Sequence, residues 1–163
     1  MELTRDVMLR GETWDKAITN FAPFFQPRAQ YDIFMLCISI GIMYDQRLER
    51  SDDNTYEHSI ARNVFNNHDN GKLDFMFQAA ILSTQTIDTA EAERLELAFG
   101  DKTDFNKIGF LSEFANFGVT VLVKQIGESR IETMDNLMSF LSETVEGRNF
   151  DIDPIPDEIL LDE

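Results

Sequence analysis

Hydrophobic positions recur at helical spacing along most of this chain. The clearest stretch is residues 104–126, where Phe110, Phe114, Phe117 and Val121 follow 4, 3 and 4 spacings. Leu111, Leu122 and Ile126 widen that stripe. In residues 72–84, Leu73, Met76, Phe77, Ala80 and Ile81 repeat the pattern. Residues 29–47, AQYDIFMLCISIGIMYDQR, show no alternation, and their length favours a buried central helix. Ile33, Ile38, Ile40 and Ile42 keep a buried strand open there. Near the end, Met134, Leu137, Met138 and Leu141 read as the buried face of a last helix, capped by Thr133 or Asp135. Gly41 and Gly118 interrupt two of the apolar runs, which points to close helix crossings.

The weaker elements lie between these. WDKAITNF forms a short helix in this reading, and Pro23 and Pro27 frame Phe24 and Phe25 in a connector over the core. Pro27 also suits the first position of the following helix. Residues 48–56 are a polar loop, 57–66 a short helix with His58 and Arg62 four apart, and NNHDNG a turn. Asp88 and Glu91 suit a capping box, and the helix in AEAERLELAF ends before Gly100. The expectation is an all-α fold, a compact single-domain bundle or array of five or six helices. Residues 1–147 form the helical domain. Residues 148–163 form an acidic C-terminal tail, extended or partly disordered, with Pro154 and Pro156 inside it.

Composition sharpens this outline. A chain of 163 residues with 43% hydrophobic content can bury a real core. Its 14 Phe and 7 Met read first as core, with an exposed Phe/Met groove as the alternative. The single cysteine, Cys37, sits in the most apolar run and reads as a buried small hydrophobe. The first residues, MELTRDVMLRGE, contain no apolar signal-peptide core. Residues 33–44 span about 18 Å as a helix, too short for a bilayer. A cytoplasmic protein with no membrane association is expected.

The charge is lopsided. Residues 1–50 carry 6 basic and 7 acidic side chains, whereas 51–163 carry 8 basic and 23 acidic. Such a surface repels nucleic-acid backbones and attracts a basic protein partner. The last 13 residues, DIDPIPDEILLDE, hold 6 acids and no base. Within them Ile152, Ile155, Asp157, Glu158, Ile159, Leu160 and Leu161 form a candidate partner-binding peptide, with acids steering and aliphatics anchoring. Direct nucleic-acid binding is not expected, and a homo-oligomer is left open.

Catalytic and cofactor chemistry is addressed mostly by elimination. NNHDNGKLD superficially matches a calcium loop, with Asn66, His68 and Asn70 at positions one, three and five and Gly71 at six. Position twelve is Phe77, where a bidentate Glu is required. His58 and His68 are the two histidines, too few for an imidazole-rich metal centre. Neither the Walker nor the dinucleotide glycine pattern occurs, and there is no nucleophile elbow. No catalytic residue, metal or cofactor is assigned. Arg28, Arg47 and Arg50 lie near one apolar helix and could make a small anion site; charge satisfaction at the helix end explains Arg47 and Arg50 more simply.

Residues 31–47, YDIFMLCISIGIMYDQR, resemble the opening of small accessory proteins encoded beside bacterial DNA phosphorothioation systems. Gly41 and Arg47 are the matching positions. Leu48 and Glu49 stand where that opening carries a second arginine and a proline. The resemblance implies an accessory protein of a DNA modification or defence system. Three functions follow for test. The first is a non-enzymatic acidic interaction protein, an accessory or regulatory subunit of a bacterial assembly. The second is a DNA mimic that inhibits a nucleic-acid-binding protein, and the third an enzyme with an unrecognised site.

Overall fold

The computed structural model describes residues 1–49, 55–85, 87, 90–100 and 105–146, with side chains described through 143. The chain divides into two units, Met1–Ile126 and Gly127–Glu163. Among the described residues there are seven α-helices and one small antiparallel sheet. The all-α expectation therefore holds in outline, while the count of five or six helices is too low and the two strands were not foreseen.

In the first unit, β1 (Val7–Arg10) leads into α1 (Glu12–Phe21) through Gly11. β1 pairs antiparallel with β2 (Glu57–Ile60), so that Val7 faces Ile60 and Arg10 faces Glu57. That last pair is an ion pair at 2.7 Å. The segment read as a helix over 57–66 thus begins as a strand and turns helical only at α3 (Arg62–His68). Its strand state depends on a partner about fifty residues away in the sequence, which local periodicity does not register. Asn66 fixes the approach to β1: its side chain accepts from Leu3 N (2.9 Å) and donates to Leu3 O (3.1 Å).

α2 (Ala29–Tyr44) is the central helix, with Tyr31, Ile33, Phe34, Met35, Cys37, Ile38 and Ile40 all buried. A helix apolar all round needs neighbours on several sides, and α1, α4 and α6 all contact it. Pro27 does not open it; Arg28 is the capping residue. α4 (Lys72–Ser83) buries Leu73, Phe77, Ala80 and Ile81, close to the expected stripe. α5 (Glu91–Phe99) buries only Ala98, and Ala90 is its capping residue. Asp88, the expected cap, lies outside the described residues.

α6 (Lys107–Leu122) packs most extensively against α2. The two glycines explain how. A Cβ on Gly118 would stand 1.9 Å from the Cys37 carbonyl oxygen, and one on Gly41 would stand 2.2 Å from that of Phe114. Each helix therefore supplies a glycine against the other's backbone, as expected for a close crossing. Phe114 and Leu111 on α6, and Ile38 and Phe34 on α2, are fully buried. An aromatic series extends from there, with Phe110 edge-on to Phe114 (5.1 Å) and Phe77 edge-on to Phe110 (6.1 Å).

In the second unit, α7 (Arg130–Glu146) is capped by Ser129, not by Thr133 or Asp135. Ser129 Oγ accepts from Glu132 N at 3.1 Å, and Glu132 Oε2 accepts from Glu128 N at 2.8 Å. This is the Ser-x-x-Glu capping arrangement, displaced by one residue on its return bond. Thr133 instead donates to Ser129 O and accepts from Gly127 N. Of the face expected to be buried, Leu137 is buried, Leu141 half-buried, and Met134 and Met138 exposed.

Candidate functional site

An open cleft of about 1060 Å³ lies in the first unit, between residues 1–9 and the first turns of α6. Two of its lining residues, Glu113 and Asn116, also fasten residues 47 and 48 to α6. Leu48 N donates to Glu113 O (3.0 Å), and Asn116 Nδ2 donates to Leu48 O (3.2 Å). Trp14 Nε1 donates to Asn116 Oδ1 (3.1 Å), so α1 orients the same amide. Arg47 donates to Glu113 Oε2 (3.1 Å) while its guanidinium lies 5.0 Å from the Phe110 ring centre and 5.9 Å from that of Phe114. This stacking holds the cation against the core, and the carboxylate neutralises it.

The lining chemistry is mixed. Arg5 and Lys107 supply positive charge, while Glu2, Asp6, Glu49 and Glu113 supply negative charge. Lys107 extends over the Phe77 ring at 5.0 Å. Ser112 lines the cleft, but its hydroxyl donates to Ile108 O at 2.7 Å, within its own helix. Neither a histidine nor a cysteine is among the described residues lining it. The arrangement offers an open groove lined by apolar residues and by charges of both signs.

The residues singled out for chemistry are placed elsewhere. His58 Nε2 lies 2.8 Å from Asp15 Oδ1, joining β2 to α1, and His68 is exposed at the end of α3. No group of three or more potential metal ligands occurs among the described residues. Cys37 is fully buried, and burial pushes its thiol well above the ordinary range. The calcium-like turn has an internal use. Asp69, 5% exposed, accepts from Tyr31 Oη (2.9 Å) and from Leu73 N (2.9 and 3.1 Å to its two oxygens). It therefore ties α2 to the start of α4, with Asn70 and Gly71 both at positive φ in the turn between α3 and α4. Burial first, and the bond to Asp69 second, push the Tyr31 hydroxyl far up from its usual value of 10.0.

Of the three arginines, the two that are described do not converge. Arg28 stacks 5.6 Å from the Tyr31 ring at the start of α2, and Arg47 follows its opposite end. Arg50 lies outside the described residues. So do Ile152, Ile155, Asp157, Glu158, Ile159, Leu160 and Leu161 of the tail.

A surface the sequence did not single out is on α5. Glu91, Glu93 and Glu96 are all exposed, and Leu95 and Phe99, four residues apart, are exposed beside them. Local periodicity could not find it: apolar residues at 95, 97, 98 and 99 resemble an ordinary buried face, and only the packed structure shows Ala98 buried, Leu97 half-buried and the other two exposed. No helix among the described residues is long and apolar enough to cross a membrane. No protein-family model, curated protein or solved structure matches this chain.

Proposed function

We propose that the protein is a non-enzymatic acidic interaction protein, an accessory or regulatory subunit that binds a basic partner through exposed carboxylates and apolar side chains. The observation that supports this reading most is the unequal placement of its charges. Several cations are engaged on the chain itself: Arg10 with Glu57, Arg47 with Glu113, Arg62 with Thr4 O, and Arg94 with the carbonyls of Thr84 and Ile87. Carboxylates such as Glu91, Glu93 and Glu96 stay exposed, in a chain of net charge −16. The field that reaches a partner is therefore negative, and Leu95 and Phe99 supply apolar anchors within it. The acidic tail adds charge and aliphatic residues of the same kind.

The resemblance of residues 31–47 to accessory proteins of phosphorothioation systems makes a DNA modification or defence assembly the proposed setting. Here Gly41 and Arg47 also have internal roles, one at the helix crossing and one on the Phe110–Phe114 stack. DNA mimicry is the less favoured reading. Glu91, Glu93 and Glu96 are spaced by about 200° and about 300° around α5, not in a row like successive phosphates.

The test is recovery of the tagged full chain from its native cells at about 0.05 M and about 0.5 M salt, a range that shortens electrostatic reach severalfold. A basic protein should accompany it in fixed proportion at low salt and leave at high salt. Leu95→Ala with Phe99→Ala should weaken that association in a chain that still folds. Recovery without a stable companion at low salt would overturn the proposal.

A further inference from the structure

Among the described residues, α7 carries an exposed apolar stripe. Ile131 is 76% exposed and Met138 54%, with Met134 also exposed between them and Leu141 half-buried. Their spacing is 3, 4 and 3, the spacing of a coiled-coil seam, and the sequence carries it on to Val145. Ile131 and Met138 then occupy the a positions, and Met134 and Leu141 the d positions. We propose that α7 pairs with α7 of a second copy of this chain as a short, parallel, in-register coiled coil.

Charge selects both the occupant and the direction. In this register Arg130 is a g position and Asp135 the e position five residues on. In a parallel homodimer each g residue lies beside the e residue five further along the partner helix. Arg130 of each copy therefore meets Asp135 of the other, giving two opposite-charge pairs. An antiparallel arrangement brings g to g and e to e, and provides neither. Within one helix the two residues are five apart and do not face each other. The seam extends over two heptads, short of the roughly 800 Å² per partner of a standard interface. The dimer is accordingly weak, with a dissociation constant on the order of 10–100 μM. Two copies of charge −16 also repel, so added salt should strengthen this association. The basic-partner complex proposed above should respond to salt in the opposite direction, so the two ideas succeed or fail separately.

Sedimentation equilibrium of the full chain reads the association directly. A monomer–dimer equilibrium that tightens as salt rises is expected; a monomer throughout, up to about 0.3 mM, would overturn the proposal, since that exceeds the expected constant. Met138→Glu should weaken dimerisation at least about tenfold, from the lost burial of one side chain per copy. Circular dichroism checks that its helix persists. Arg130→Asp and Asp135→Arg should each weaken the dimer, and the double variant should restore it; failure to restore it would reject the register. Ile131→Cys should form an interchain disulfide on mild oxidation, because a positions meet only in the parallel arrangement. The native Cys37 is buried and does not compete. A persistent dimer that does not crosslink through position 131 would refute the parallel pairing.

Discussion

Replacing either crossing glycine by alanine tests the centre of the fold. Ordinary contact begins near 3.4 Å, whereas the added Cβ would stand 1.9 Å from Cys37 O at position 118 and 2.2 Å from Phe114 O at position 41. The obstacle is helix backbone, so no rotamer change relieves it. The helices must separate locally by about 1 Å or more, and a gap of that size forfeits a quarter to a half of each van der Waals contact it opens. The buried side chains along the seam, Phe34, Ile38, Leu111 and Phe114, would all lose contact. Overpacking of this kind costs about 1–3 kcal/mol, sometimes more. Alanine returns about 1 kcal/mol through helix propensity. Because the obstacle is backbone at so close an approach, the cost falls at the top of that range, and a net loss of about 2 kcal/mol is expected for Gly118→Ala, slightly less for Gly41→Ala.

The two substitutions should not add. Both demand the same separation of α2 from α6, so once one has forced it the second costs less, and a coupling of about 1 kcal/mol is expected between them. Urea denaturation followed by fluorescence of Trp14, the single tryptophan and a buried one, measures all three variants. Gly71→Ala is the control: its Cβ would meet nothing within 4 Å, and its φ of +78° leaves only backbone strain, about 1 kcal/mol. An unchanged or raised midpoint for Gly118→Ala would refute the close crossing. Full additivity in the double variant would refute the shared separation.

Other predictions concern the polar groups that fasten the helices. Tyr31→Phe should destabilise by about 1–2 kcal/mol, because Asp69 loses a buried donor; a smaller effect than an exposed tyrosine-to-phenylalanine change would show that Asp69 finds another. The Tyr31 proton is held more tightly in the folded state than at its ordinary value of 10.0, so its stabilisation is present below pH 10 and is lost as pH rises above it. Absorbance titration should show one of the three tyrosines resisting ionisation until the chain unfolds. Ser129→Ala should lower the stability of α7 by about 1 kcal/mol, read as faster amide exchange over its first turn, and unchanged exchange would deny the cap. Thr84→Val should cost about 1–3 kcal/mol by denaturation, since it removes the donor to Asp45 from a buried site.

What could be read from the sequence is what periodicity encodes. The stripes of α4 and α6 and the all-round apolarity of α2 predict three helices within a few residues of their bounds, and Gly41 and Gly118 announce the crossing. What escaped depends on distant partners. β2 is a strand because β1 lies beside it, and its four residues carry no independent signal. α7 shows a third kind of difference. Met134, Leu137, Met138 and Leu141 are correctly grouped as apolar, yet periodicity marks an apolar face without saying what covers it. Ser129-Arg-Ile-Glu132 carries the Ser-x-x-Glu capping signature, four and six residues before Thr133 and Asp135.

The functional site was less legible for a related physical reason. Residue types that carry chemistry elsewhere are here used to join elements. Asp69 bridges α2 and α4, Asn66 holds Leu3, His58 meets Asp15, and Arg94 grips the carbonyls of Thr84 and Ile87. Each of these is a polar group whose partner lies across the fold, so a one-dimensional motif search sees the residue and misses its occupation. Such engagement also shapes the outer surface. Arg10 and Arg47 each meet a carboxylate, Glu57 and Glu113, and with 30 acidic against 14 basic side chains most acids are left without such a partner charge. The net charge of −16 is set by composition alone, and the fold decides only which of these groups meet each other and which stay exposed.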